Sequence, residues 1–202
     1  MSDVKKKRGR PASIDTAKAM EAVVELFRSK GYAAVSLDDL SDATGLSRPS
    51  LYRSFGNKQA MYLGAMDVFG GQVATTAVPA LLDEEGIERA LAAFYKAMLD
   101  IYYRDSAVTP GCLVYGTAPS SSDEGPIQAR LKLSIEQLDA FMQKRFERAA
   151  PQADAAQIKA AVQIAANTLI AFSARAKSGA PKAELITMGR ASAKSVARLL
   201  TD

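Results

Sequence analysis

The chain has 202 residues, of which 48% are hydrophobic, and a formal net charge of +4. A chain of this length can bury one large core or two smaller ones. One cysteine and no histidine are present, so internal disulfides, multi-cysteine zinc sites and Ser-His or Cys-His catalysis are excluded. We expect no cofactor.

The positive charge is concentrated near the N-terminus. Residues 1–60 contain 11 Lys or Arg and 7 Asp or Glu, whereas residues 61–202 contain 15 of each. Basic charge gathered on one segment is typical of phosphate binding, which counterion release drives. No run of eighteen apolar residues occurs, and no apolar stretch follows the charged N-terminus. We therefore expect a cytoplasmic protein with neither a transmembrane helix nor a secretory signal, and no membrane partner.

Residues 1–12 are predicted to form a disordered basic arm, because they contain five basic side chains and almost no apolar ones. The segment Arg8-Gly9-Arg10-Pro11 resembles the core of an AT-hook. In such a core, extended arginines enter the narrow minor groove of A·T-rich DNA, where negative potential is concentrated. Arg8 and Arg10 therefore either read that groove or contact phosphates without selectivity.

The first helix is predicted to begin at Ser13 or Asp15 and to end at Lys30, before Gly31. Its apolar face has i, i+3, i+4, i+7 spacing and consists of Met20, Val23, Val24 and Phe27.

Residues 36–55 are predicted to form two short helices joined by a tight turn. Ser36 is placed to cap the first helix, and Gly45 allows the turn. Ser47 is placed to cap the second helix, while Leu51 and Phe55, four residues apart, face the core. A short helix with basic and polar side chains around one apolar side suits recognition in a DNA major groove. The candidate DNA-contacting residues are Ser36, Ser47, Arg48, Pro49, Ser50, Tyr52, Arg53 and Lys58, together with Arg8 and Arg10 of the arm.

The nine residues from Ser47 to Phe55, followed by Asn57-Lys58, resemble the TetR family of bacterial transcriptional regulators. That pattern has a serine, a basic residue, two small residues, leucine, tyrosine, two variable positions and phenylalanine, with a lysine shortly after. Leu26-Phe27 and Gly31-Tyr32 match as well, so the resemblance covers roughly residues 14–66. It implies an all-α protein with a helix-turn-helix DNA-binding domain over residues 13–58 and a helical ligand-binding and dimerisation domain over residues 59–202.

The same resemblance implies a repressor that binds a palindromic double-stranded DNA operator as a homodimer and is released by a small molecule. It also implies a dimer made through a four-helix bundle of the last two helices, although their small residues also suit an internal antiparallel pair. The candidate interface residues are Ile158, Val162, Ala165, Leu169, Leu185, Met188, Gly189, Ser192 and Val196.

The remaining helices follow from apolar periodicity and from glycine and proline breaks. No strand pattern is present, and residues 119–126 are predicted to be a loop. The predicted segments are a helix capped by Asn57 and weakened or ended at Gly70-Gly71 and Pro79, a helix over 86–103, a short helix or turn over 112–118, and helices over 127–149, 154–177 and 182–200.

The middle helices are expected to enclose an apolar ligand pocket with a few hydroxyl groups, suited to a mostly hydrophobic or aromatic molecule. The alternative interpretation of most of these residues, as ordinary core, is the one that their apolar character favours. The candidates are Met66, Phe69, Phe94, Tyr95, Met98, Tyr102, Cys112, Tyr115 and Leu138.

Three other functions were compared with this one. Cys112 follows Pro110-Gly111 and is expected near a helix N-terminus, which lowers a thiol pKa, so a redox- or electrophile-sensing regulator is one alternative. A ligand-independent architectural DNA-binding protein is the second. An enzyme is disfavoured, because the sequence has neither a paired acid motif nor a phosphate-binding glycine loop.

Overall fold

Side-chain caps fix where the N-terminal helices begin. Helix α1 spans Thr16–Lys30, with Asp15 accepting a hydrogen bond from the Lys18 amide. Helix α2 spans Leu37–Thr44 and starts with a capping box, in which Ser36 and Asp39 each bond the other's backbone amide. Helix α3 spans Arg48–Phe55 and is capped by Ser47. Gly45, at φ 67°, makes the left-handed turn between α2 and α3.

The structure is a computed structural model that describes residues 15–83, 85–104, 111–121 and 125–201. Throughout these ranges the regular elements are helices, which confirms the all-α prediction. The predicted arm, with Arg8 and Arg10, lies outside the described residues.

Helix α4 spans Lys58–Thr76 and is capped by Asn57, as predicted, but it continues through Gly70-Gly71. A helical glycine costs only about 1 kcal/mol relative to alanine. Packing of Phe69 and Val73 against the core on either side offsets that cost. A short helix that the sequence did not indicate, α5, follows over Val78–Asp83, with Pro79 in its first turn, where proline is tolerated.

The other helices lie close to their predicted positions. The predicted loop over residues 119–126 is partly helical, since Ala118–Ser121 form a 3₁₀ turn and the next long helix starts at Gly125. The helices are α6 Ile87–Tyr102, α7 Leu113–Thr117, α8 Gly125–Ala149, α9 Ala155–Lys177 and α10 Lys182–Thr201.

Helices α9 and α10 pack against each other, and α10 lies along α6. Most of the residues expected at a dimer interface are used inside this packing. The interface candidates that are buried within the subunit are Ile158, Val162, Ala165, Leu169, Leu185, Gly189 and Val196. By length and composition α9 alone among the described helices meets the criterion for a membrane span, a weak indication because core helices of water-soluble proteins meet it too.

A buried arginine joins the N-terminal helices to the rest of the chain. Arg28, in the last turn of α1, is 1% exposed. Its Nη2 donates to the carbonyl oxygens of Gly111 at 3.0 Å and Ile101 at 3.1 Å, and its Nε donates to Gly111 at 3.3 Å. Nη1 pairs with Glu25 at 2.7 Å, and the guanidinium lies over the Phe69 ring. The charge is therefore buried with its hydrogen-bonding capacity largely used.

Candidate nucleic-acid interface and buried cavity

Helix α3 divides into a buried side and an exposed side. Leu51 is fully buried and Phe55 half-buried, as predicted. Arg48, Pro49, Tyr52 and Arg53 are exposed, and Tyr52 keeps 47% of its surface accessible. The exposed side is accessible to a nucleic acid, and direct contact by these residues remains a prediction.

The Arg48 guanidinium is already engaged by an acidic residue of α2. Its Nε and Nη2 donate to Oδ1 of Asp38 at 2.9 and 2.5 Å. This hydrogen bond raises the pKa of Arg48 further above its ordinary value. Both side chains are more than half exposed, so water screens the pair. The sequence pattern placed Asp38 in the first turn of α2 but gave no sign that it faces α3.

The hydroxyls of the candidate DNA-contacting serines take part in hydrogen bonds within the chain. Ser36 Oγ lies 2.7 Å from Oδ2 of Asp39 and caps α2, and Ser47 Oγ caps α3. Hydrogen bonds from Lys30, at 2.6 Å, and from Ser36 hold the pKa of Asp39 below its usual range. Ser50 is half-buried and lies 3.0 Å from Ser47. Ser36 and Ser47 remain exposed, so their oxygens could also face phosphate.

Lys58 stands at the first residue of α4, where a positive charge opposes the helix dipole. Its ammonium lies 4.6 Å from the centroid of the Tyr32 ring. Cation–π attraction of this kind offsets part of the unfavourable interaction with the dipole. Tyr32 in turn packs against Phe27 and Tyr62, which accounts for an aromatic residue directly after Gly31.

A cavity of about 320 Å³ lies between α4, α6 and α8 and is called here the α4–α8 cavity. Seven of the nine residues predicted to form a pocket line it: Met66, Phe69, Phe94, Met98, Cys112, Tyr115 and Leu138. Tyr95 does not, since its hydroxyl donates to the carbonyl of Ala165 at 3.0 Å and lies 3.4 Å from Ser192 Oγ. Tyr102 is also buried and does not line the cavity, although its hydroxyl lies beside the Cys112 thiol.

Three polar residues of α8 in the cavity lining were not predicted from the sequence. Arg130, Ser134 and Gln137 of α8 line it at i, i+4, i+7 spacing. That spacing was visible in the sequence, but it occurs beside an apolar stripe of the same helix and is equally typical of a solvated face. Arg130 also forms an ion pair with Asp67 of α4.

Cys112 lines the cavity but lacks the environment that was expected to activate it. It caps α7, and its Sγ accepts a hydrogen bond from the Tyr115 amide at 3.5 Å. Burial nevertheless raises the pKa of the Cys112 thiol above its ordinary value. The expected lowering by the helix N-terminus is therefore outweighed, and the thiol form is favoured.

The sequence resembles those of known bacterial regulatory proteins. The family described as "Bacterial regulatory proteins, tetR family" matches residues 19–65. The HTH-type transcriptional repressor ComR of Escherichia coli (strain K12) is 36% identical over 132 residues, which cover 64% of this chain and 62% of ComR. The repressor BdcR of the same organism is 29% identical over 106 residues, covering 52% and 53%. The chain thus spans less than two thirds of the length of either relative.

The fold is similar to that of solved structures. A cysteine mutant of the TetR family transcriptional regulator CifR, complexed with 26bp double-strand operator DNA, has a TM-score of 0.81 at 21% identity. The superposition covers 92% of this chain and 99% of CifR, so the likeness of fold extends well beyond the helix-turn-helix. Sequence and fold thus lead to one conclusion: residues 19–65 form the N-terminal domain of the tetR family of bacterial regulatory proteins, and nearly the whole chain has the fold of a TetR family regulator.

Proposed function

We propose that this protein is a cytoplasmic transcriptional repressor that binds a palindromic DNA operator as a homodimer and is released when a small molecule fills the α4–α8 cavity. The observation that carries the proposal is the exposed surface of α3, where Arg48, Tyr52 and Arg53 are accessible while Leu51 is buried. Relatives named as repressors, and a structural neighbour described with operator DNA, support the same function.

The two arginines of α3 take different roles in this proposal. Arg48 and Arg53 are five residues apart, or about 140° around an α-helix, so both cannot point to the floor of one groove. Arg48 is the first residue of α3, and the N-terminal end of a recognition helix contacts base edges. Arg48 therefore reads a base, and Tyr52 and Lys58 contact phosphates.

Asp38 fits this assignment. It binds the Nε side of the Arg48 guanidinium, and the Nη1 side remains available. A guanidinium presents five donors, enough for the carboxylate and for guanine O6 and N7 at once. In the competing arrangement, Arg48 breaks its contact with Asp38 before it binds DNA.

The proposed release begins at α4. Met66, Phe69 and Val73 of α4 line the cavity, and the same helix follows α3 after two residues. A ligand that moves α4 therefore moves the end of α3. Ligand binding and DNA binding are coupled because the ligand favours a position of α4 different from the one that DNA binding requires.

The test is a binding series with Arg48→Ala, using operators in which every base pair is substituted in turn at fixed salt. We expect the variant to lose preference at one base pair in each half-site, at a cost of about 1–3 kcal/mol for the lost bidentate contact. Tyr52→Phe should instead weaken all operators equally, because a phosphate contact carries no base information.

Arg89→Ala serves as the control, since it removes one exposed positive charge from α6 and leaves α3 unchanged. If Arg48→Ala lowers affinity with an unchanged base profile, Arg48 contacts phosphate and its assignment as the base-reading residue is wrong. If the wild-type protein binds all genomic fragments with equal affinity, the architectural alternative replaces the repressor.

A further inference from the structure

The α4–α8 cavity is chemically two-sided. Helices α4 and α6 contribute apolar walls that include Met66, Phe69, Phe94 and Met98. Helix α8 contributes Arg130, Ser134 and Gln137, which share one face. A molecule that satisfies both sides must have an apolar body with a polar group at one end.

Arg130 determines what that polar group is. Among the described residues that line the cavity, Arg130 alone carries a charge, and none is acidic. Its side chain is 34% exposed, so it is partly withdrawn from water. A cationic ligand would meet no acidic group in the cavity lining, whereas an anionic ligand would gain a partner there.

We propose that the effector is a small apolar molecule bearing a carboxylate, with the carboxylate held by Arg130 and the apolar body against the Met66 and Phe94 walls. This inference rests on the proposed role of the cavity as the effector site. The planar guanidinium fork matches a carboxylate in shape and charge. A volume of about 320 Å³ lies at the small end of ligand pockets, which favours a compact ligand.

The present partner of Arg130 indicates how such a ligand acts. Asp67, on α4, pairs with Arg130, keeps 63% of its side chain exposed and does not line the cavity. A ligand carboxylate bound to the same guanidinium carries the same charge as Asp67 and weakens the hold of Asp67 on Arg130. Binding therefore loosens the ion pair between α8 and α4, the helix that follows the recognition helix.

The experiment is calorimetric titration of the purified full chain with matched pairs of probes: octanoate against octanamide, and benzoate against benzamide, extended by the straight-chain acids from butanoate to dodecanoate. We expect the carboxylate of the better-binding pair to bind about tenfold more tightly than its amide, as loss of one charge-assisted contact predicts. Arg130→Gln should remove that preference and leave amide binding unchanged.

Two further variants separate this contact from general charge. Lys132→Gln removes the same charge from α8, but Lys132 is 78% exposed and does not line the cavity, so the preference should persist. Asp67→Asn removes the like-charged carboxylate, so the acid should bind several-fold more tightly while its amide is unaffected.

Equal affinity of acid and amide, a preference that survives Arg130→Gln, or no saturable binding by any acid of the panel would each overturn the inference. These titrations contain no DNA, so they test ligand binding separately from the release of the operator. Acids that bind as expected without weakening operator binding would uphold the ligand class and refute the release step of the proposed function.

Discussion

Tyr62 and Tyr95 bury phenol groups whose hydroxyls have internal partners. Tyr62 Oη lies 2.6 Å from Oγ1 of Thr117, and Tyr95 Oη donates to the carbonyl of Ala165. Burial raises the pKa of each residue to about 12, compared with about 10 for an exposed phenol. Their protonated forms are thus part of what stabilises the fold.

Alkaline pH should therefore unfold the protein. Because the folded pKa lies above the unfolded one, the stabilisation is complete below about pH 10 and is lost as the pH rises towards 12. Tyrosinate absorbance should show a late step that coincides with loss of helical circular dichroism, and Tyr95→Phe should reduce that step. Titration of all 7 tyrosines in one early step, with the helices intact, would contradict the expectation.

At the level of elements, one side chain, Arg28, makes the hydrogen bonds that join α1 to Ile101 of α6 and to Gly111. This set of contacts is called here the joint. Arg28→Met removes the donors that satisfy the buried carbonyls of Gly111 and Ile101. Each buried acceptor left unpaired costs about 1–3 kcal/mol, so the free energy of unfolding should fall by about 3 kcal/mol. Urea denaturation measures this change.

Two variants make that result specific. Arg28→Lys keeps the charge but loses the planar set of guanidinium donors, so its free energy of unfolding should lie between those of wild type and Arg28→Met. Arg53→Met changes an exposed arginine of α3, and its free energy of unfolding should stay within about 0.5 kcal/mol of the wild-type value. Equal stability of all three variants would show that Arg28 does not hold the joint.

The elements also show what the sequence could and could not predict. Caps such as Asp15, Ser36, Ser47 and Asn57 act within four residues, so local pattern was sufficient to place α1–α4. Gly70-Gly71, which was expected to weaken or end α4, does not end it, because packing of the flanking apolar residues outweighs a propensity cost that acts locally.

The candidate site was predictable only where apolar periodicity identified it. Much of the apolar cavity wall was predicted from apolar spacing along the helices. Arg130 was not, since the residues that face it across the cavity are distant in sequence. The Arg48–Asp38 contact spans ten residues between two helices and has no local signature. The dimer interface on α9 and α10 was inferred from the family resemblance and stays a prediction. Most of its candidate residues are also buried within the subunit, because an apolar face in a sequence does not show which surface covers it.

At the scale of the whole molecule, the outward faces of α9 and α10 are where we place the second subunit. Ile164 is 39% exposed on α9. Small residues on the outside of α10, including Thr187, Ala191 and Ser195, are exposed as well. Small side chains permit close approach of two helix pairs, and α9 offers apolar surface for them to bury.

Ala191→Arg should therefore yield a monomer by light scattering with its thermal stability retained, and operator affinity should fall because the two half-sites are no longer held together. Ala140→Arg, at an exposed position of α8, should leave the dimer intact. Gly189→Arg cannot make this test, because even a Cβ at Gly189 would meet Phe172 at 3.0 Å inside the subunit. A dimer that persists with Ala191→Arg would place the interface elsewhere.

The acceptors of Arg28 are main-chain oxygens, which every amino acid supplies. Substitution at Ile101 therefore leaves its acceptor in place, provided that the backbone keeps its path. Gly111 is more constrained, because its φ is 69° and a Cβ there would lie 3.0 Å from the Ser173 carbonyl oxygen. The two sides of the joint consequently evolve under unequal constraint: α1 must retain one arginine, whereas Ile101 supplies its acceptor whatever its side chain. For protein engineering, a chimaera that grafts α1–α4 onto a foreign set of later helices needs a matching backbone at this point and a glycine at the position of Gly111.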